Sequence, residues 1–336
     1  MGPSLFSRIF GGTGDSGSND PADEAAAEPD VRAALRKIEI VTARMADLAL
    51  SGNYRSSFKG QGLAFREVRP YQPGDDVRSI DWNVSARMHE AYVKVFQEER
   101  EMTVMLAVDR SESEIFGTRR ASKAFVATEV SALVAFSAIK HNDRVGLILG
   151  GERVGRIIAP KRGEKHVMRV VREVLTFRRE PAPRGASRHD ETPASPPLGA
   201  RTDLRGLLES LVRVCRRRSV AFVVSDFFAE GYDDALAIAA RKHDLIPVVL
   251  TDPRDLELPD VGLSSFRDPE SGASVVVDTS DRGVRAHYKQ FMTDLIAARA
   301  KRFRRLGLDA VTVTTDGSTV DPFRALFARR ARKRRG

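Results

Sequence analysis

The sequence predicts an α/β fold: a mostly parallel, doubly wound sheet with one antiparallel edge strand, joined to a small N-terminal α+β subdomain. Three observations predict it. The continuous apolar runs TVMLAVD, SVAFVVSD and DLIPVVLTD read as strands buried on both faces. Helical patterns separate these runs, which implies parallel strands joined by crossovers. In RVGLILGGERVGRIIAP two apolar runs are instead split by Gly150-Gly151, a hairpin signal that adds an antiparallel strand.

Taken in order, residues 1–30 are rich in Gly, Ser, Pro and acid through GGTGDSGSNDPADEAAAEPD and are expected to be disordered. Residues 31–100 form the small N-terminal unit. It opens with a helix over 31–50, in which Leu35, Ile38, Val41, Met45 and Leu48 recur at three- and four-residue spacing. Short strand-like pieces follow around the turn Pro73-Gly74-Asp75-Asp76, and the alternating run AYVKVFQEE reads as a strand. The large domain spans 101–328. After its first strand a helix is expected from Lys123 to Lys140, then the Gly150-Gly151 hairpin, then a helix over 163–177. Residues 180–200 form a Pro/Ala/Ser-rich loop. Further helices are expected at 202–217, in GYDDALAIAARK, at 284–306 and at 319–330, with LDAVTVTTD as the last strand. An insertion at about 255–282 carries a small hairpin, and residues 329–336 form a basic C-terminal tail.

Composition narrows the function classes. The 336 residues suit one large domain plus a smaller one, and 42% hydrophobic residues permit a sizeable core. No run approaches the roughly 18 apolar residues of a membrane span. The start, MGPSLFSRIFGG, has a short apolar patch without a clear cleavage site and reads as non-secretory. The single cysteine, Cys215, cannot form an internal disulfide, which fits a reducing compartment. Its arginine neighbours, Arg213, Arg216, Arg217 and Arg218, favour a thiolate, against the plainer reading of a small apolar residue on a helix. The net charge of +9 falls to +3 once the six basic side chains of Arg329–Arg335 are set aside, so the excess is a solvated tail and not a basic face.

In parallel sheets ligands bind beyond the carboxyl ends of the strands. The first central strand ends at Asp109 and continues Asp109-Arg110-Ser111-Glu112-Ser113, three oxygen side chains alternating along a turn. SVAFVVSD ends at Asp226, which parallel topology places at the same edge. Thr202 follows the Pro-rich loop and opens a helix. Two carboxylates and three hydroxyls make a hard-oxygen site suited to Mg²⁺ or Mn²⁺. The set holds no His or Cys, which argues against zinc. The plainer alternative is that Ser111 and Ser113 cap a helix and Asp226 merely ends a strand.

Asp109, Ser111, Ser113, Thr202 and Asp226, in this order and spacing, resemble the metal-ion-dependent adhesion site of von Willebrand A domains. Glu114 stands where that pattern often has a hydrophobic residue. A second stretch, Arg69-Pro70-Tyr71-Gln72-Pro73-Gly74-Asp75-Asp76-Val77-Arg78-Ser79-Ile80-Asp81-Trp82 followed by Ala86-Arg87, is similar to the hallmark of a bacterial family named domain of unknown function 58. That family joins the hallmark to a von Willebrand A-like domain. The resemblance implies a cytoplasmic protein working with a MoxR-type AAA+ ATPase.

The hallmark residues Arg69, Tyr71, Gly74, Asp75, Asp76, Arg78, Asp81, Trp82 and Arg87 read as either lobe-joining or partner-binding. Gly74 suits a turn with positive φ. Asp75, Asp76 and Asp81 are expected to pair with Arg69, Arg78 and Arg87, and Trp82 to anchor the subdomain on the core.

The expected function is therefore a metal-dependent protein-protein interaction module, not an enzyme. Five groups would hold the cation, and a client's Asp or Glu would complete its shell. Motion of the 180–200 loop is expected to shift Thr202 and so tune binding. There is no phosphate-binding Gly-x-x-x-x-Gly-Lys-Ser/Thr loop, so the chain is not itself the motor. The alternatives are a metal-dependent phosphoester hydrolase, with only Glu112 or Glu114 as base, and a nucleic-acid or anionic-surface binder acting through the tail. The six histidines are scattered without ligand or triad spacing.

Overall fold

The structure, a computed structural model, describes residues 64–97, 102–110, 122–151, 154–177, 203–267 and 274–333. The expected N-terminal disorder, the helix at 31–50 and the 180–200 loop lie outside these residues, as do Ser111, Glu112, Ser113, Glu114 and Thr202.

The main sheet has six strands: β3 (Thr103–Asp109), β4 (Arg144–Gly150), β5 (Val154–Lys161), β6 (Val220–Ser225), β7 (Asp244–Thr251) and β10 (Val311–Thr314). Their spatial order is β10-β7-β6-β3-β4-β5, and every pairing is parallel except β4 with β5. Side chains alternate across a strand, so each continuous apolar run feeds two cores. Val104, Leu106 and Val108 face one core, which α2 (Lys123–Lys140), α3 (Glu164–Thr176) and α7 (Val320–Lys333) complete. Met105 and Ala107 face the other, shared with α4 (Leu204–Val214), α5 (Asp233–Lys242) and Phe303 of α6 (Arg282–Arg305). The hairpin strand β5 is an edge and is mostly exposed, with Ile158 turned into the core.

The chain leaves β3 through α2 to reach β4 on one side and later enters β6 on the other. The winding reverses between β3 and β6. Such a switch point opens a crevice at the carboxyl ends of the two strands. The excursion after β7 begins with a short 3-10 turn, Pro253–Asp255, and carries an antiparallel hairpin of β8 (Leu263–Arg267) and β9 (Ser274–Asp278).

In the N-terminal unit β1 (Ala64–Pro70) pairs antiparallel with β2 (Tyr92–Gln97), bracketing a 3-10 turn at Val77–Ser79 and α1 (Trp82–Met88). Gly74 sits at φ +108°, as expected of its turn. Arg69 and Asp75 form a two-bonded pair, Nη1 to Oδ2 and Nη2 to Oδ1 each 2.7 Å. The remaining hallmark acids behave differently from expectation. Asp76 caps the 3-10 turn through the backbone N–H of Arg78, and Asp81 caps α1 and meets Lys94 at 3.3 Å. Trp82 is 70% exposed, so it does not anchor the unit on the core. It occupies the first turn of a seven-residue helix with no buried residue, which offers no pocket for an indole.

The basic run also differs from a solvated tail. Helix α7 continues to Lys333, and Arg330 is buried. Its guanidinium donates to both carboxylate oxygens of Asp244 (3.1 and 3.0 Å) and to Asp309 (2.9 Å). Alternation of Phe323, Leu326, Phe327, Arg330 and Ala331 on one face carries the helix into the core, and Arg330 goes with it. Cys215 is likewise buried, and burial pushes its thiol pKa up, opposite to what its arginine neighbours imply.

Candidate functional site

Strand β3 delivers Asp109 to the carboxyl edge, opposite Gly150 of β4, and β6 delivers Ser225 and then Asp226 beside it. Asp109 is 1% exposed and Asp226 is 3% exposed. The two carboxylates named by the sequence are thus brought to the ends of adjacent central strands, at the switch point. Ser225 joins them. Its hydroxyl donates to Asp109 Oδ2 at 2.8 Å and accepts the Phe227 N–H at 3.0 Å.

Directly after Asp226 the chain makes a left-handed turn at Phe227, φ +57°. A bulky residue in this conformation is strained and persists only where surroundings hold it. Here the Phe227 ring is buried edge-on to Phe303, with centroids 5.2 Å apart, and its N–H is held by Ser225. The turn lets Asp226 Oδ1 accept the Phe228 N–H at 3.2 Å, while the Asp226 carbonyl accepts from Arg299 Nη1.

A lysine completes the cluster. Lys123, at the first position of α2, is 2% exposed. Its ammonium lies 3.4 Å from Asp226 Oδ2 and 2.9 Å from Asp255 Oδ2. Burial raises the Asp255 pKa, and the charge of Lys123 opposes that rise. Lys123 and Arg299 also stand 5.5 and 5.3 Å from the Phe228 ring centre, within cation–π range.

Ser111, Ser113 and Thr202 lie outside the described residues, but the chain on their flanks is tethered to one place. The Arg110 N–H donates to the Gly150 carbonyl and the Asp203 N–H to the Gly151 carbonyl, each at 2.6 Å. Asp203 then caps α4 through the Gly206 N–H. The described flanks of those segments, Arg110 and Asp203, therefore both adjoin the end of β4 beside Asp109.

The donor chemistry fits a hard divalent cation. Buried carboxylates are costly without a compensating charge, and carboxylate oxygens are among the ligands that Mg²⁺ prefers. Among the described residues no group of three or more His, Cys, Asp or Glu is placed to hold a metal. A cation at Asp109 and Asp226 would need hydroxyl and water oxygens as well, which is common for Mg²⁺.

Sequence reasoning missed Lys123, Ser225, Asp255 and Arg299. One signal was present: a lysine opening a mostly apolar helix sits at the positive end of the helix dipole, where a cation is disfavoured.

The chain is similar to known proteins in three ways. The model of a family described as "Protein of unknown function DUF58" matches residues 67–297. The Mycobacterium tuberculosis protein Rv1480 is 32% identical over 292 residues, 86% of each chain. Among solved structures, BatB from Bacteroides thetaiotaomicron is similar at TM-score 0.41 and 15% identity, over 69% of this chain and 99% of that one. The SpRpn10 VWA domain is similar at TM-score 0.34 and 12% identity, over 66% and 93%.

Proposed function

The chain belongs to the DUF58 family, and on that premise we propose that it is a protein-interaction module whose docking point is the carboxyl edge of β3 and β6, completed by Mg²⁺ or Mn²⁺. The observation that supports this most directly is the convergence of buried Asp109 and Asp226 at the switch point of a parallel sheet. Asp109 and Asp226, together with Ser111, Ser113 and Thr202, would hold the ion. The ion would supply an open coordination position for an Asp or Glu of a client protein.

The chain's own residues set the rest. Ser225 fixes the Asp109 carboxylate, the Phe227 turn and the Phe228 N–H orient Asp226, and Arg299 holds the Asp226 carbonyl. The exposed Trp82 and its hallmark neighbours supply a second contact face, the partner-binding alternative for that segment. We assign this pair of surfaces to a cytoplasmic adaptor that presents a client to a MoxR-type AAA+ ATPase. Among the described residues no helix is long and apolar enough to cross a membrane. The nucleic-acid alternative loses Arg330 as a phosphate contact, because that side chain is buried against Asp244 and Asp309.

The test immobilises purified protein and captures client proteins from an extract of the same organism in Mg²⁺ and in EDTA, with the purified MoxR-type ATPase followed separately by interferometry. Client capture is expected in Mg²⁺, with a loss of about tenfold or more in EDTA and in Asp109→Asn, the change that about 1.4 kcal/mol produces. Client capture indifferent to both would refute metal dependence; an ATPase that does not bind would be removed as partner.

A further inference from the structure

We infer that Lys123 is a tethered cation that competes with the divalent ion for Asp226 and moves wholly onto Asp255 when the ion binds. This rests on the metal reading above and goes beyond it by assigning the site its own internal competitor.

Three observations carry the inference. First, the Lys123 ammonium reaches two carboxylates, with Asp255 the nearer at 2.9 Å and Asp226 at 3.4 Å, so a second resting place is already in contact. Second, Lys123 opens α2, where the aligned N–H groups repel a cation. The backbone does not favour it there, and the carboxylates across the crevice do. Third, Asp226 is one of the two residues that would hold the ion. An ammonium and a divalent ion sharing one buried carboxylate repel each other, and burial leaves that repulsion poorly screened.

The consequence reaches the insertion after β7. Asp255 lies in the 3-10 turn Pro253–Asp255, where its side chain also accepts the Asp252 N–H at 2.8 Å and its carbonyl accepts from Tyr288 of α6 at 3.3 Å. Full transfer of Lys123 to Asp255 would strengthen this turn when the ion binds. Occupancy of the crevice would thereby be coupled to the β8–β9 insertion.

The test is Mn²⁺ titration followed by electron paramagnetic resonance of the free ion. It uses the full chain as wild type, Lys123→Met, Asp255→Asn and the double variant. Only binding abolished by Asp109→Asn is scored. Lys123→Met is expected to bind Mn²⁺ about tenfold tighter than wild type. Asp255→Asn, which removes the nearer of the two carboxylates that Lys123 reaches, is expected to bind more weakly, and this weakening should vanish in the double variant. Wild-type binding with unchanged or weaker affinity in Lys123→Met overturns the competition and leaves the metal reading standing. Absence of scored binding in every variant overturns both. If Lys123→Met does not fold, Asp255→Asn decides: weaker binding supports the competition, and unchanged or tighter binding overturns it.

Discussion

At the residue scale, Ser225 is the least conspicuous part of the site and one of the most constrained. It is fully buried, and its single hydroxyl serves two groups that have left water, the Asp109 carboxylate and the Phe227 N–H. Removing it leaves a buried acceptor and a buried donor each short of a partner. Ser225→Ala is expected to destabilise the fold by about 1–3 kcal/mol. Urea unfolding measures this, and a change under about 0.5 kcal/mol would show that the hydroxyl does not hold the turn. The strained Phe227 conformation depends on the same hydroxyl, so near-ultraviolet dichroism of the Phe227–Phe303–Tyr232 cluster should change with it.

At the element scale, α7 shows how a charged run becomes structural. Its apolar face packs into the core formed with α2 and α3, and Arg330 rides that face to the start of β7. There it bridges Asp244 of β7 and Asp309 just before β10. Losing Arg330 removes the two bonds that Asp244 accepts from it, while Asp309 keeps Arg329 and Lys333. Arg330→Met is expected to cost about 3 kcal/mol. Arg324→Met, which breaks only the exposed pair with Asp321, should cost less than about 1 kcal/mol. Paired denaturation curves check the contrast; equal losses would mean that Arg330 is merely another surface charge.

At the scale of the whole molecule, β7 supplies Ile246, Val248 and Leu250 to one core and Leu245 and Val249 to the other, so a strain placed on β7 is felt on both faces. His243 sits at that position, between α5 and β7, buried and accepting the Ser219 N–H at Nδ1. Burial first, then the charges of Lys242 and Arg218, lower its pKa to about 4. The unfolded chain has the ordinary value near 6.5 and binds the proton more readily. Stability from neutral His243 is therefore complete above about pH 6.5 and is lost as pH falls toward 4, at no more than about 1.4 kcal/mol per pH unit. Urea midpoints between pH 7.5 and 5 should fall less steeply in His243→Gln than in wild type. Parallel slopes would assign the acid sensitivity to other groups.

The sequence by itself determined the α/β class, the Gly150-Gly151 hairpin, the span of α2 and the edge at which Asp109 and Asp226 meet. These follow from periodicity and chain direction: an apolar run buried on both faces, a helical crossover and a strand end are local properties of the backbone in water. Only the tertiary structure decided what faces those carboxylates. Lys123 and Asp255 are far apart in sequence, Trp82 is outside and Arg330 inside, and Asp81 meets Lys94 and not Arg87. The reason is physical. A local pattern sets which face of an element leaves water, but the partner that neutralises a charge on that face is whichever group packing brings within a few ångströms.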